Sequence, residues 1–404
     1  MPNSKALEGL KVADFTWNIV GPLTTKYLAE HGATVIKVES QDRPCVTRTS
    51  PPYAEKTAGI NRSGWFTEWN TNKLGITLNL KHPRAMEVIR KLISWADVVG
   101  ENFAPGVFQR LGLGYDLFKQ IKPDIIMFSA SMQGQTGPHS PHPGFGMQLS
   151  ALSGFTNLTG WPDRGPVEFY GPYTDFVGGR FLAAAVLAAV DYRRRTGKGQ
   201  YLDLSQYESA LHYLSTTLLD YGVNGRVQTR VGNQSIHAAP HGVFRCKGDD
   251  RWCAIAVPDT KWRDFCRAID KEDLADDPRF ATMLDRIKDR AELEEIVEGW
   301  TVNLPQETVM TLLQEAGIAA GTVENGEDVH SDPQFAYRQH FQQLNHDEMG
   351  THSNSRVAFR LSKTPGELTS PAPCLGQDNE HVYTSILGYS SEEFVELLTD
   401  GVLE

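Results

Sequence analysis

The stretch KVADFTWNIVGPLTTKYLAEHGATVIKVE, residues 11–39, decides the fold. Lys11 to Phe15 suits a short strand, Gly21-Pro22 breaks it, Leu23 to Glu30 suits a helix that Gly32 stops, and Thr34 to Glu39 reads as a second strand. The same order recurs downstream. A helical stretch from Pro83 to Trp95 leads into a strand from Asp97 to Glu101, and a helix around Val107 to Ile121 leads into Asp124 to Ala130. An alanine-rich helix, Phe176 to Arg194, precedes a strand from Gln200 to Leu204 and a helix starting near Tyr207. Alternation of this kind builds a parallel sheet covered by helices, so the fold class is α/β with a large Rossmann-like domain.

After Gly222 the pattern changes. Val243 to Cys246 and Trp252 to Val257, joined by Lys247-Gly248-Asp249-Asp250, read as a strand pair, and amphipathic helices follow to about Ala316. The expected division is a large domain over 1–222, a smaller α+β domain over 223–325, and a C-terminal segment, 326–404, that returns to the large one. That segment carries Pro365, Pro371 and Pro373 and closes with a helix from Ser391 to Leu398, whose start, Ser390-Ser391-Glu392-Glu393, resembles an N-cap.

Bulk properties exclude several classes. The 404 residues are 40% hydrophobic, enough to fill real cores, and a net charge of −11 is spread without acidic or basic blocks. Neither nucleic acid nor an anionic membrane is therefore an expected partner. Five cysteines without a C-x-x-C pair argue against a disulfide framework and structural zinc. Twelve histidines show no H-x-x-x-H or H-E-x-x-H spacing, so no metal is expected. The N-terminus has no charged-then-apolar signal pattern, and no apolar run approaches the length of a membrane helix, which places the protein in the cytoplasm.

Local motifs leave the chemistry open. The first strand-to-helix loop has one glycine and a proline, so it fails the dinucleotide fingerprint and disfavours a dehydrogenase. Glu101-Asn102-Phe103-Ala104-Pro105-Gly106 lies where a parallel strand ends, the edge at which α/β ligands collect; there Asn102 and Phe103 suit a purine as well as a turn and a core. Arg110 follows one helical turn later, where a cation meets phosphate oxygens or simply solvent. Asp175, after Gly171-Pro172-Tyr173-Thr174, stands where an aspartate caps a helix.

Taken together these segments resemble the class III CoA-transferases, the family of formyl-CoA transferase and carnitine CoA-transferase, related to α-methylacyl-CoA racemase. The resemblance is carried by Leu7-Glu8-Gly9-Leu10-Lys11-Val12, Gly21-Pro22, Gly32 to Glu39, Asn72-Lys73, Glu101 to Gly106 and Arg110-Leu111-Gly112. It continues in family order through Gly134-Gln135-Thr136-Gly137-Pro138, Ser153-Gly154, Asp175, Thr196 to Gln200, Asp332-Pro333-Gln334, Pro371-Ala372-Pro373 and Leu387 to Ser390.

The resemblance implies Asp175 as a nucleophile that forms an aspartyl anhydride and then an aspartyl-CoA thioester, without metal or redox cofactor. It implies CoA contacts at Ile19, Val20, Asn72, Lys73, Asn102, Phe103, Ala104, Arg110, Ser131, Met132, Gln133 and Gly134, with Lys73 and Arg110 on the phosphates. It also implies an interlinked dimer. The racemase branch has a histidine-aspartate pair where Phe145 and Gly146 stand, which disfavours racemisation. The opening from Asp14 to Leu28 is similar to the benzylsuccinate branch, which implies succinyl-CoA as donor, an aryl- or alkyl-succinate acceptor such as benzylsuccinate in anaerobic aromatic degradation, and a second, related subunit. His237 or His241 would then hold the acceptor's second carboxylate. A racemase or isomerase, and a non-catalytic CoA-binding subunit, are the alternatives.

Overall fold

The computed structural model describes residues 5–168 and 170–404. They form two compact units, one of residues 5–155, 168, 170–227 and 336–404, the other of 156–167 and 228–335. Assignment of 156–167 to the second unit was not legible in the sequence, because that stretch has no periodicity of its own.

The first unit is built on a parallel sheet of β1 (Lys11–Asp14), β2 (Thr34–Glu39), β3 (Leu74–Thr77), β4 (Val98–Glu101), β5 (Ile126–Ser131) and β6 (Tyr201–Ser205), in the order β3-β2-β1-β4-β5-β6. Strand side chains alternate between faces, so neighbours enter different cores. Ala13, Ile36, Ile76, Val99 and Met127 pack with Val88, Ile89, Leu92 and Ile93 of the helix Ala85–Trp95. Val12, Val35, Val98, Ile126 and Phe128 pack instead with Leu28 and Ala29 of one helix and Leu182, Val186, Ala189 and Val190 of another. Apolar residues on both faces are what a buried parallel sheet needs.

The helices that position the site are α1 (Val20–Glu30), α2 (Gly64–Asn70), α3 (Ala85–Trp95), α4 (Val107–Arg110), α5 (Tyr115–Ile121), α6 (Gly146–Ser153), α7 (Tyr173–Thr196) and α8 (Gln206–Leu211). Gly21-Pro22 does not break the chain before α1 but lies inside its first turn, where a missing amide removes no helical hydrogen bond. The single helix expected over Val107 to Ile121 is two, divided at Gly112, whose φ of 76° suits glycine. By length and composition α7 suffices to cross a bilayer, contrary to the sequence reading, yet its Val177, Leu182, Val186 and Val190 are buried in this unit. It is a core helix.

The chain returns to the first unit as a hairpin of β10 (Phe341–His346) and β11 (Gly350–Ser355), then covers the edge of β3. The Gly75 amide donates to Asp378 (2.7 Å), the Thr77 amide to Asn379 (2.9 Å), and the Tyr383 hydroxyl to the Thr77 carbonyl (2.9 Å). Side chains of the tail thus occupy polar groups that an exposed edge strand would offer to another chain. The closing helix, Ser391–Thr399, carries a capping box between Ser390 and Glu393.

The second unit has an antiparallel sheet in the order β7-β8-β9, from β7 (His241–Arg245), β8 (Trp252–Ala256) and β9 (Ala319–Thr322). Phe244, Cys253, Ile255, Trp262, Phe265, Phe280, Leu293, Val297, Val309 and Leu313 form its core. The fully buried Arg286 donates to the carbonyls of Ala239 (3.1 Å) and Phe280 (2.8 Å), pairs with Asp259, and lies over the Trp262 ring.

Candidate active site

Crossovers leave β1 in opposite directions toward β2 and β4, so the carboxyl ends of β1 and β4 flank the crevice where ligands of doubly wound sheets bind. Asn102, just past β4, bridges that crevice: its Oδ1 accepts from the Trp17 amide (2.6 Å) and its Nδ2 donates to the Trp17 carbonyl (2.7 Å). Phe103 packs against Trp17, with ring centroids 5.3 Å apart, and stacks on Phe108 at 5.7 Å. Beside them opens a cavity of about 370 Å³, lined in part by Trp17, Val38, Leu78, Phe103, Arg43 and Lys81. An apolar, aromatic cleft with cations at its rim suits a purine nucleotide. Sequence reasoning missed Arg43 and Lys81, although both follow the ends of strands, the same signal that singled out Asn102.

The other expected CoA contacts divide into two groups. Ile19 and Val20 are buried at the start of α1, and Ala104 is exposed with its carbonyl accepting the Val107 amide (3.0 Å). Arg110 is exposed, lies against Gly106, and makes no ion pair among the described residues. Ser131 ends β5 buried, its hydroxyl without a partner; the Met132 carbonyl accepts the Tyr207 amide (2.8 Å), and Gln133 leads to Gly134, which turns the chain at φ 90°.

Lys73 and Asn72 are turned inward. The buried Lys73 ammonium donates to Asp14 (3.0 Å), the Pro22 carbonyl (3.0 Å) and Asn70 (2.9 Å), which uses all three of its donors and leaves none for a phosphate. Burial holds it down at about 8, against the opposing pull of Asp14, whose carboxyl is held at about 2 by Lys73, Lys37 and two threonine hydroxyls despite its burial. Lys73 thus fixes the first loop from below. Lys73→Ala is expected to cost about 3–5 kcal/mol in denaturant unfolding, because it strands the buried Asp14 charge. Asn72 accepts from the amides of Thr369 (2.7 Å) and Ser370 (3.0 Å) and donates to the Glu367 carbonyl (2.6 Å), pinning the tail.

Asp175 is the third residue of α7 and not its N-cap, which is Pro172; its amide donates to the Pro172 carbonyl (3.0 Å). Its carboxyl is pushed up to about 7 by burial, and a hydrogen bond from the Gln206 side chain opposes that rise. Two features shape its surroundings. Gly178-Gly179 lets α1 approach α7, since a side chain at 179 would stand 2.9 Å from the Val20 carbonyl, and the Thr24 hydroxyl donates to the Gly179 carbonyl (3.0 Å). Gly146 opens α6 against the carboxylate: a Cβ there would meet Pro172 at 2.5 Å and Asp175 Oδ2 at 3.0 Å. The Thr174 hydroxyl fixes this contact by donating to the Gly146 carbonyl (3.2 Å). A half-buried carboxylate poised near neutrality at a helix start is equipped to act as a nucleophile or a base.

His237 and His241 belong to the second unit. His237 is exposed, its amide donating to Ser235 (3.0 Å), while His241 opens β7 with Nδ1 on the Asn233 carbonyl (2.6 Å). His241 also lines an open cleft of about 560 Å³.

Known proteins of similar sequence and structure are consistent in kind. The chain is 31% identical over 400 residues to succinyl-CoA–D-citramalate CoA-transferase of Chloroflexus aurantiacus, covering 99% of this chain and 98% of that protein. It is 32% identical over 402 residues to the succinyl-CoA–L-malate CoA-transferase beta subunit of the same organism, covering 98% of each. Its fold matches the crystal structure of a CAIB/BAIF family protein from Brucella suis with a TM-score of 0.86 and 29% identity, over 95% of this chain and 99% of that one. The profile of CoA-transferase family III matches residues 7–379, and the chain belongs to that family of enzymes.

Proposed function

We propose that this chain moves CoA from succinyl-CoA to a dicarboxylic acid, with Asp175 as the covalent nucleophile. The observation that carries this reading is the Asp175 carboxyl, half-buried beside Gly146 and held near neutrality within the fold of a CoA-transferase family. Its carboxylate adds to the thioester carbonyl of the donor and expels CoA thiolate, giving a mixed anhydride. The thiolate then attacks the aspartyl carbonyl, releasing succinate and leaving an aspartyl-CoA thioester. The acceptor carboxylate attacks that thioester, and the expelled thiolate takes the new acyl group from the second anhydride, restoring Asp175. No net proton is consumed. A carboxylate with a raised pKa is a stronger nucleophile than an ordinary one.

The named relatives take CoA from succinyl-CoA to short hydroxylated dicarboxylic acids, which supports the same class here. An aryl- or alkyl-succinate such as benzylsuccinate is a bulkier dicarboxylic acid that lacks the hydroxyl of malate and citramalate. His237 and His241, both of the second unit, are proposed as substrate residues. The nucleotide is assigned to the Trp17–Phe103 cavity with Arg43, Lys81 and Arg110 as phosphate partners, and the pantetheine arm to Ile19, Val20 and the loop 131–134. One of the relatives is a subunit of a two-chain transferase, so a related subunit or a second copy of this chain is the proposed partner, and the cytoplasm the proposed compartment.

Chromatography of the acyl-CoA products formed from succinyl-CoA with malate, citramalate, glutarate, benzylsuccinate and monocarboxylic controls tests this reading. Transfer to at least one dicarboxylate and none to the controls is expected; transfer to monocarboxylates alone overturns it. Arg43→Ala and Arg110→Ala are each expected to raise KM for succinyl-CoA about tenfold, the worth of one charge-assisted hydrogen bond, with KM for the acceptor unchanged.

A further inference from the structure

A second group of cations lies at the far end of α1 from the catalytic helix. α1 meets α7 at Val20 and runs on for 11 residues, about 16 Å, to Glu30. There the segment that follows β11 folds against it. The Phe359 ring stacks on His31 at 5.2 Å and on Tyr27 at 6.3 Å, and the Glu367 amide donates to the Glu30 carbonyl (3.0 Å). A cavity of about 270 Å³ opens in this segment, inside the first unit, with Arg338, His340, Arg356, Phe359, Arg360 and Gly366 in its lining.

Three guanidinium groups around so small a space repel one another unless an anion lies among them. The backbone sets two of them in place. The Arg356 amide donates to the His340 carbonyl (2.9 Å) and its Nη2 to the Gly366 carbonyl (2.8 Å), while Arg338 Nη2 reaches the Ala358 carbonyl (3.5 Å). Gly366 can lie this close to α1 only because it has no side chain, since a Cβ would stand 3.0 Å from the His31 ring. A guanidinium has five N–H donors, so most of the donors of these arginines remain for something else. The chain's own carboxylates do not take them. Glu367, next to Gly366, pairs with Lys5 (3.5 Å); Glu68 pairs with Lys26 (3.3 Å) and accepts the amide of Ser355, next to Arg356 (3.3 Å). Among the described residues none of the three arginines forms an ion pair, in a chain whose net charge is −11.

We propose that this cavity is a binding site for a compact dianion, a phosphate-type or dicarboxylate ion, separate from the CoA cleft. Planar guanidinium forks match paired anionic oxygens, and convergence of several of them is how proteins hold such ions. The volume admits an ion of that size and falls short of what a nucleotide fills. The site is independent of the role given to Asp175.

Isothermal titration calorimetry of the full chain with inorganic phosphate, and separately with succinate, at constant ionic strength tests the proposal. Saturable binding of at least one ion is expected, with Kd of about 1 mM or tighter. The tighter of the two identifies the source. Arg338→Ala/Arg360→Ala, which removes two exposed side chains, is expected to weaken that binding at least tenfold, roughly the loss of one charge-assisted hydrogen bond, while Arg43→Ala keeps it. Arg360→Gln alone decides the matter if the double variant does not fold. Binding that survives in the double variant and is lost in Arg43→Ala places the ion in the CoA cleft and overturns the proposal, as does the absence of saturable binding. Light scattering covers the remaining case: a double variant that loses mass from an assembly, without anion binding in the wild type, makes the arginines an interface and likewise overturns it.

Discussion

Replacing Asp175 by alanine is expected to lower kcat by at least about 10³-fold, equivalent to about 4 kcal/mol of transition-state stabilisation, while CoA still binds. The loss is large because the carboxylate set against Gly146 is the group that the proposed mechanism makes covalent. Asp175→Asn keeps the shape and is expected to lose as much, since an amide does not attack a thioester. Neither variant is expected to be less stable at alkaline pH. The folded carboxyl titrates near 7, above its ordinary 3.8, so the folded chain binds the proton more tightly than the unfolded one. The cost of holding the charge is absent below about pH 4, grows between pH 4 and 7, and is complete above 7. Asp175→Asn removes that cost, and its melting temperature at pH 8 is expected to equal or exceed wild type, with the difference vanishing at low pH. In the wild type, kcat/KM is expected to rise with pH through about 7 as the carboxyl ionises, which a pH-rate profile checks.

Gly146→Ala is expected to have the second largest effect. The added methyl is aimed at Pro172 (2.5 Å) and at the Asp175 carboxylate (3.0 Å), and the proline, held by its ring and backbone, has no side-chain freedom with which to give way. The first turn of α7 must shift, and a misplacement of about 1 Å at a reacting group costs about 10²-fold in rate. The variant is expected to stay folded, because alanine suits a first helical turn and α6 ends in its own left-handed Gly154. Steady-state kinetics beside circular dichroism reads both. An unchanged kcat means that α6 yields without disturbing the nucleophile. Phe145, which precedes Gly146, is exposed.

Much of the first unit was legible because buried parallel strands are dense apolar runs separated by amphipathic helices, as in 34–39 and 85–95. β3 was not, since Leu74-Gly75-Ile76-Thr77 is short and carries a glycine. β9, Ala319-Ala320-Gly321-Thr322, has no large side chain at all. Asp175 was found by resemblance and not by spacing, because an acidic residue beside a helix start looks alike whether it caps, ionises or reacts. Lys73 was misread for a physical reason: a lysine between Asn72 and a strand shows its charge in the sequence but not its burial, and only the fold reveals Asp14 beneath it.

The central claim is that Asp175 becomes an activated acyl group during turnover, and mass spectrometry tests it most directly. The protein is mixed with succinyl-CoA in the presence of hydroxylamine, then digested and mapped, alongside Asp175→Ala. The account predicts a hydroxamate at Asp175, formed only with the CoA ester present and absent from the variant. Continued CoA transfer with Asp175 unmodified, or equal modification of the variant elsewhere, would contradict it.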